Sequence, residues 1–333
     1  MATISDIAQQ ANVSRALVSR VLNDKPGVSP ENREKILSVI KACNYTPNAL
    51  ARALVHQRTQ TIGVVMDDLR DKYFFDLISG MQDMSEQLGY NIIFCSGRDN
   101  REVKFRYVDY FLHGRADGLI AFGSRLDDGN VFREIIEKAK HFVLIEGNIP
   151  GSEYNKIQTD NMGGAYRATK HLLERGFRKI WHVTGDLRYN VALDRLNGFL
   201  KAMCEYNAAV TEDSIIHADF EEGLACQRVG ALLREGSMPD AFFAGADKTA
   251  FGVIRALTQN GLRVPGDVAV IGFDGDKPDT YDMVFPQLTT MRQPLYEMGK
   301  AGVELLIRSI REPGRVPETI VFEPEFVLGE TCP

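Results

Sequence analysis

MATISDIAQQANVSRALVSRVLNDKPGVSPENREKILSVIKACNYTPNALARAL, residues 1–54, reads as three short helices and a connector. Thr3-Ile4-Ser5-Asp6 is a helix start, in which Thr3 caps the first turn and Asp6 sits three residues on. Ile4, Ile7, Ala8 and Ala11 then fall on one apolar face. Ala11-Asn12-Val13 breaks that spacing, and Ser14 caps a second helix with Val13 and Val18 placed as a hydrophobic staple. Val18, Val21 and Leu22 turn inward, which leaves Arg15, Ala16, Ser19 and Arg20 free. Ser29-Pro30 starts a third helix, because proline's fixed φ suits the first helical position. Ile36, Leu37, Ile40 and Cys43 lie along its stripe. Two helices joined by a tight turn, the second polar at its exposed N-terminal end, fit a DNA major groove.

Charge supports that reading. Residues 1–60 hold eight Lys/Arg and four Asp/Glu, a net of +4 in a chain whose total is −6, so the remainder carries −10. A basic head on an acidic body concentrates attraction for phosphate at one end. Binding through that head weakens with salt as condensed counterions are released.

Beyond Thr61 the pattern changes. Apolar runs at 62–66, 91–94, 118–122 and 142–145 alternate with helical stretches near 74–88, 101–113 and 130–140. After Asp160 the series restarts, with runs at 179–183, 215–216, 241–244 and 268–273 and helical stretches near 162–176, 195–206, 222–235 and 249–260. Continuous β-branched and aromatic runs between helices imply parallel sheets buried on both faces. Two such series imply two α/β lobes, with a ligand beyond the carboxyl ends of the strands in the cleft between them. No run of eighteen apolar residues occurs and the N-terminus lacks an apolar signal core, which predicts a cytoplasmic protein with no membrane partner. Five cysteines, odd in number and without a CxxC pair, fit reduced thiols. No HExxH, Walker A loop, GxSxG or GxGxxG is present, so neither an enzyme, a metal site nor a cofactor is expected.

The chain resembles the lactose/galactose-repressor (LacI/GalR) family of bacterial transcription regulators along essentially its whole length. The resemblance rests on Thr3-Ile4-Ser5-Asp6-Ile7-Ala8, on Val13-Ser14 with Val18-Ser19-Arg20-Val21-Leu22-Asn23, and on the stretch Asn44 to Leu54. Arg195-Leu196-Asn197-Gly198-Phe199, Gly261 to Pro265, Ile271-Gly272-Phe273-Asp274 and Pro286 to Thr290 follow in the same order. It implies a two-lobed body like that of periplasmic sugar-binding proteins, entered by an all-α helix-turn-helix domain. The implied parts are a headpiece at 1–46, a hinge helix and linker at 47–60, a first lobe at 61–160 plus about 292–321, and a second lobe at 161–291 plus about 322–333.

The same resemblance assigns roles to residues. Arg15, Ala16 and Arg20 match base-reading positions, and arginine's fork suits the O6 and N7 of guanine. Thr3, Ser14, Ser19, Asn23 and Tyr45 complete the expected DNA surface, chiefly toward phosphates. In the hinge, Leu50, Ala51 and Arg52 would line the minor groove of a DNA-bound dimer, with Leu54 wedged into the central base step. Two-fold symmetry predicts a pseudopalindromic operator and a homodimer without the extra terminal helix of tetrameric relatives.

In the body, Phe74, Glu146, Tyr189, Asn190, Arg195, Phe220, Asp247 and Asp274 sit near the ends of strands or the starts of helices. Arg195 is read as opening a helix after a loop at 185–194. Carboxylates that accept from hydroxyls, an arginine that donates and an aromatic face that stacks suit a sugar or related polyol. Purine-binding members carry Arg and Thr where this chain has Tyr189 and Val191, which weakens a nucleobase assignment. The expected function is a DNA-binding repressor set by a small effector. The alternatives are a corepressor-type regulator answering a nucleoside or phosphorylated partner, or a solute-binding protein.

Overall fold

In the first helical unit, side-chain caps fix where each helix starts. The computed structural model describes residues 3–22, 25–45, 58–98, 100–123, 125–126, 129–276 and 285–333. Helices α1 (Ile4–Gln10), α2 (Arg15–Leu22) and α3 (Pro30–Ala42) make up this unit. Thr3 and Asp6 form a reciprocal capping box, Ser14 Oγ accepts from the Leu17 amide at 3.2 Å, and Ser29 Oγ accepts from the Asn32 amide at 3.3 Å. Asn12 turns the chain between α1 and α2 at φ 53°. Their inward faces meet in one small core of Ile7, Ala8, Ala11, Val18, Val21 and Ile36, with Tyr45 packed against it.

So small a core leaves little margin. Replacing Ile36, which is fully buried, by alanine removes about 2–5 kcal/mol. Calorimetry of the full chain is expected to show the low-temperature transition of the head lost while the main transition of the body stays in place. Sequence-specific DNA binding should vanish with it.

Residues 60–333 form the second unit, built on two six-stranded sheets. The first holds β1 (Thr61–Met66), β2 (Asn91–Ser96), β3 (Gly118–Phe122), β4 (Phe142–Ile145), β5 (Asn155–Thr159) and β11 (Thr319–Phe322), in the order β11-β5-β4-β3-β1-β2, all parallel. The second holds β6 (Ile180–Thr184), β7 (Ile215–His217), β8 (Ala241–Ala244), β9 (Ala269–Asp274), β10 (Thr289–Arg292) and β12 (Glu325–Val327), in the order β12-β10-β9-β8-β6-β7. Only β12 runs antiparallel, against β10.

Helices α4 (Phe75–Gln87), α5 (Arg101–Leu112) and α6 (Gly129–Lys138) belong to the first sheet, and α7 (Asn161–Glu174), α8 (Asn190–Glu205), α9 (Glu222–Arg234) and α10 (Asp247–Gln259) to the second. The central strands are buried on both faces, each sheet having one apolar cluster above it and one below. This is the reason their sequences read as unbroken apolar runs.

After β10 the chain returns to the first sheet through α11 (Leu295–Arg311), whose Leu295, Met298, Val303, Leu306 and Ile310 join the core of Ile62, Val64, Leu77 and Met81. Leu295, Met298, Val303, Leu306 and Ile310 follow a helical spacing in the sequence, a helix absent from the expectations above. The chain thus passes from one sheet to the other at Asp160, at Gln293-Pro294 and at Glu323-Pro324. No helix among the described residues is long and apolar enough to cross a membrane.

Candidate functional site

On α2 the buried Val18 and Val21 leave Arg15, Ala16, Ser19 and Arg20 exposed along the opposite face. Arg15 Nη1 donates to Ser5 Oγ at 3.1 Å, which ties the side chain back to α1. Exposed Ser14 spends its hydroxyl on capping α2, and exposed Thr3 does the same for α1. Tyr45 is half-buried against the three-helix core, so only part of it remains available to DNA. Asn23, Leu50, Ala51, Arg52 and Leu54 lie outside the described residues.

The body gathers its polar residues where the two sheets exchange chain. Arg195 lies in the second turn of α8 rather than at its start. Asp186 shortens the preceding loop, accepting the Arg188 amide on its side chain at 2.9 Å and the Tyr189 amide on its carbonyl at 3.0 Å, so helix begins at Asn190. Buried Arg195 donates from Nε to Asn161 Oδ1 at 2.8 Å and from Nη1 to the Gly245 carbonyl at 2.5 Å. Nη1 also pairs with Asp274 Oδ1 at 3.0 Å, and the guanidinium lies 3.9 Å from the centre of the Phe273 ring.

These contacts continue into a closed ring. Asn161 Nδ2 donates to Glu146 Oε2 at 2.8 Å, and the Thr159 amide donates to Glu146 Oε1 at 2.6 Å. Thr159 Oγ1 donates to Gln293 Oε1 at 2.6 Å, and Gln293 Nε2 donates to Asp274 Oδ1 at 2.7 Å and to Tyr73 Oη at 3.0 Å. Thr159 and Asn161 flank the first crossing between sheets, and Gln293 stands in the second. A rotation of one lobe on the other therefore strains a buried, mutually satisfied polar network.

Asp247 supports that network from beneath. It is fully buried; Oδ1 accepts from Thr290 Oγ1 at 2.7 Å, and Oδ2 accepts from the Gly275 and Asp276 amides, both at 2.7 Å. Gly272 permits this approach, because a Cβ there would fall 2.0 Å from Asp247 Oδ1. With both oxygens used, Asp247 holds the turn that presents Asp274, whose φ is 115°. Glu146 (φ 52°) and Phe220 (φ 62°) also occupy the left-handed region. Backbone of this kind persists where the surroundings over-determine it, as at ligand sites.

Phe220 closes over the same spot, its ring on Gly185, where a Cβ would overlap it, and 5.9 Å from the Arg195 guanidinium. Phe74 does not face this cluster. It packs edge-on against Phe122 at 4.9 Å in the first-lobe core, and its neighbour Tyr73 supplies the polar contact instead. Tyr189 stands at the N-cap position of α8 without a side-chain capping bond and lies near Arg125 of the first lobe, with Asn190 beside it. Sequence reasoning missed Tyr73, Thr159, Asn161 and Gln293.

Burial sets the electrostatics. The Asp274 carboxyl is pushed up to about 6 by burial, with Arg195 and Gln293 pulling the other way. Burial raises Glu146, and burial with the charge of Asp274 holds Asp247 well above the usual carboxylate range. Asp274 Oδ2 has no hydrogen-bond partner among the described residues, which leaves it as an acceptor for a ligand. No cluster of His, Cys, Asp and Glu among the described residues is arranged to hold a metal ion.

Comparison with known proteins accounts for both units. Residues 3–48 match the model of bacterial regulatory proteins of the lacI family, and residues 169–332 match the periplasmic binding protein-like domain. The ribose operon repressor of Haemophilus influenzae is 35% identical across 99% of this chain and 98% of its own. Catabolite control protein A of Priestia megaterium is 33% identical across 92% of each. The Lac repressor dimer solved with operator and the anti-inducer ONPF superposes with a TM-score of 0.88 at 26% identity, covering 99% of both chains. The chain belongs to the lacI family of bacterial regulatory proteins, DNA-binding transcription regulators whose grip on DNA answers to a small effector.

Proposed function

We propose that this regulator is a cytoplasmic repressor that binds a pseudopalindromic operator as a homodimer and takes a small uncharged sugar in its cleft. Buried Arg195 against Asp274, with Asp274 Oδ2 left open, is the observation that carries the effector assignment. An arginine donor beside a carboxylate acceptor suits adjacent hydroxyls, and the Phe220 ring near them suits the apolar face of a sugar. Three buried carboxyl groups, Asp274, Glu146 and Asp247, stand around one buried arginine. That excess of acid disfavours a phosphorylated effector. The name of the Haemophilus relative is consistent with a sugar.

On the DNA side Arg15, Ala16 and Arg20 read bases, and Thr3, Ser14, Ser19, Asn23 and Tyr45 approach the backbone. Leu50, Ala51, Arg52 and Leu54 act in the minor groove, with Leu54 as the wedge. The lobe boundaries follow the three crossings, with 47–60 as the hinge segment. Selection of bound sequences from random duplexes, with and without a panel of monosaccharides, tests the reading. It should return a two-fold symmetric site whose recovery changes with one sugar. Recovery of no preferred sequence would overturn it.

The raised Asp274 makes effector binding sensitive to pH. A hydroxyl that donates to Oδ2 favours the ionised form, so affinity should fall as pH drops through about 6. Titration calorimetry between pH 5 and 8 should show this, and Asp274→Asn should flatten it. Stability runs the other way. Between the ordinary 3.8 and about 6 the folded body keeps a proton that the unfolded chain has lost. This group's contribution is therefore complete below the lower value and is lost as pH rises through the upper one.

A further inference from the structure

The chain enters the body at one residue, and both peptide groups of that residue are held. Gln60 is the first residue of the second unit and stands just before β1. Its amide donates to Asp117 Oδ2 at 3.0 Å, and its carbonyl accepts from the Asn91 amide at 2.8 Å and from Asn91 Nδ2 at 3.4 Å. Asp117 in turn donates its own amide to the Thr61 carbonyl at 2.7 Å. Gln60 sits at φ 49°, in the left-handed region that a residue with a Cβ keeps only where its surroundings hold it there.

The second lobe contains the same device without a connector. Asp240 precedes β8 as Asp117 precedes β3. Its Oδ2 accepts from the Arg178 and Lys179 amides at 3.1 and 2.9 Å, and its own amide donates to the Lys179 carbonyl at 2.8 Å. Each aspartate ties the start of one strand to the start of its neighbour. The difference lies in what comes before. Arg178 follows a short turn from α7 inside the same lobe, whereas Gln60 follows the segment that leads from the head.

We infer that Asp117 is a positioning residue for DNA binding: by holding Gln60 it fixes the direction in which the connector leaves the first lobe. A freely rotating residue at that point would let the lobe turn without carrying the connector along. Fixed, it spares part of the ordering cost that the connector meets on DNA. The six residues of β1, about 20 Å of strand, separate Gln60 from the carboxyl ends that face the cleft. Asp117 therefore acts on the connector and not on the effector. This role rests on the operator reading above and is independent of the sugar. Asp117 is half-buried and lies outside the apolar clusters of its lobe, so its loss leaves the core intact.

The full chain is compared with Asp117→Ala, Asp117→Asn and, as a matched control, Asp240→Ala. Fluorescence anisotropy reads affinity for the selected duplex and for a scrambled one, and urea unfolding reads the stability of the body. Asp117→Ala should bind the selected duplex about tenfold more weakly, the equivalent of one hydrogen bond, with its affinity for the scrambled duplex unchanged. Asp117→Asn keeps an acceptor oxygen and should recover most of the loss. Asp240→Ala should lower the urea midpoint as Asp117→Ala does, yet bind the selected duplex like the wild type. Undiminished binding in Asp117→Ala would overturn the anchor. So would an equal loss in Asp240→Ala, which would make the effect one of stability. If the wild type prefers no duplex, the operator reading fails instead. Hydrogen exchange at the Gln60 amide then decides the anchor separately: faster exchange in Asp117→Ala than in Asp240→Ala supports it, and equal rates refute it.

Discussion

Arg195→Met should abolish effector control of DNA binding while leaving the DNA-reading surface untouched. The substitution keeps most of the side-chain volume but removes the partner of Asp274, Asn161 and the Gly245 carbonyl together. Breaking a buried ion pair from one side destabilises by about 3–5 kcal/mol, because the remaining charge is left unpaired. Effector affinity should fall by at least about 100-fold, and the urea midpoint of the body should drop. The double variant Arg195→Met, Asp274→Asn separates these effects. With neither charge present, stability should recover most of the loss, yet operator release by effector should stay absent. Recovery of effector response in the double variant would show that the pair serves folding alone.

Arg20→Ala carries the second large effect, on the other unit. Arg20 is exposed on α2, and its guanidinium lies beside Gly27, so nothing in the core depends on it. One bidentate arginine–guanine contact contributes about 1–3 kcal/mol of discrimination. A symmetric dimer makes it twice, so preferred-site affinity should fall by about 2–6 kcal/mol, or roughly 30- to 20,000-fold. Affinity for random duplex should change far less. Arg20→Lys should restore the attraction to phosphate without the discrimination, because an ammonium lacks the planar fork. Fluorescence anisotropy on the selected duplex and on a scrambled one measures both quantities. Undiminished preference in Arg20→Ala would remove Arg20 from base reading.

The head was legible because its signals are local. Thr3 and Asp6, Ser14, and Ser29 with Pro30 each mark a helix start within four residues, and the structure contains each of those caps. The parallel sheets were legible for a related reason, since burial on both faces writes a continuous apolar run into the chain. Strand β5 escaped notice because Asn155, Lys156 and Gln158 leave Ile157 its one strongly apolar residue.

The cleft was legible only in part. Arg195, Phe220, Asp247 and Asp274 lie near the carboxyl ends of strands in one lobe, where an α/β fold places its ligands. Gln293 and Asn161 lie 132 positions apart, and only the crossings of the chain bring both to Asp274 and Arg195. Nothing in the local sequence marks them. The polar network takes in Tyr73 rather than its neighbour Phe74, one position on. A 3-10 turn at Lys72–Phe74 precedes α4, and it directs Phe74 into the core while Tyr73 Oη meets Gln293.

Effector control requires that one small molecule in the cleft change the affinity of the head for one DNA sequence. The most direct measurement is titration of the full chain onto the selected duplex by anisotropy, with and without the saturating monosaccharide. The predicted result is a shift of about 5- to 150-fold in operator affinity, mirrored by an equal shift in sugar affinity when the duplex is added first. Identical operator affinity with and without a sugar shown to be bound would contradict it.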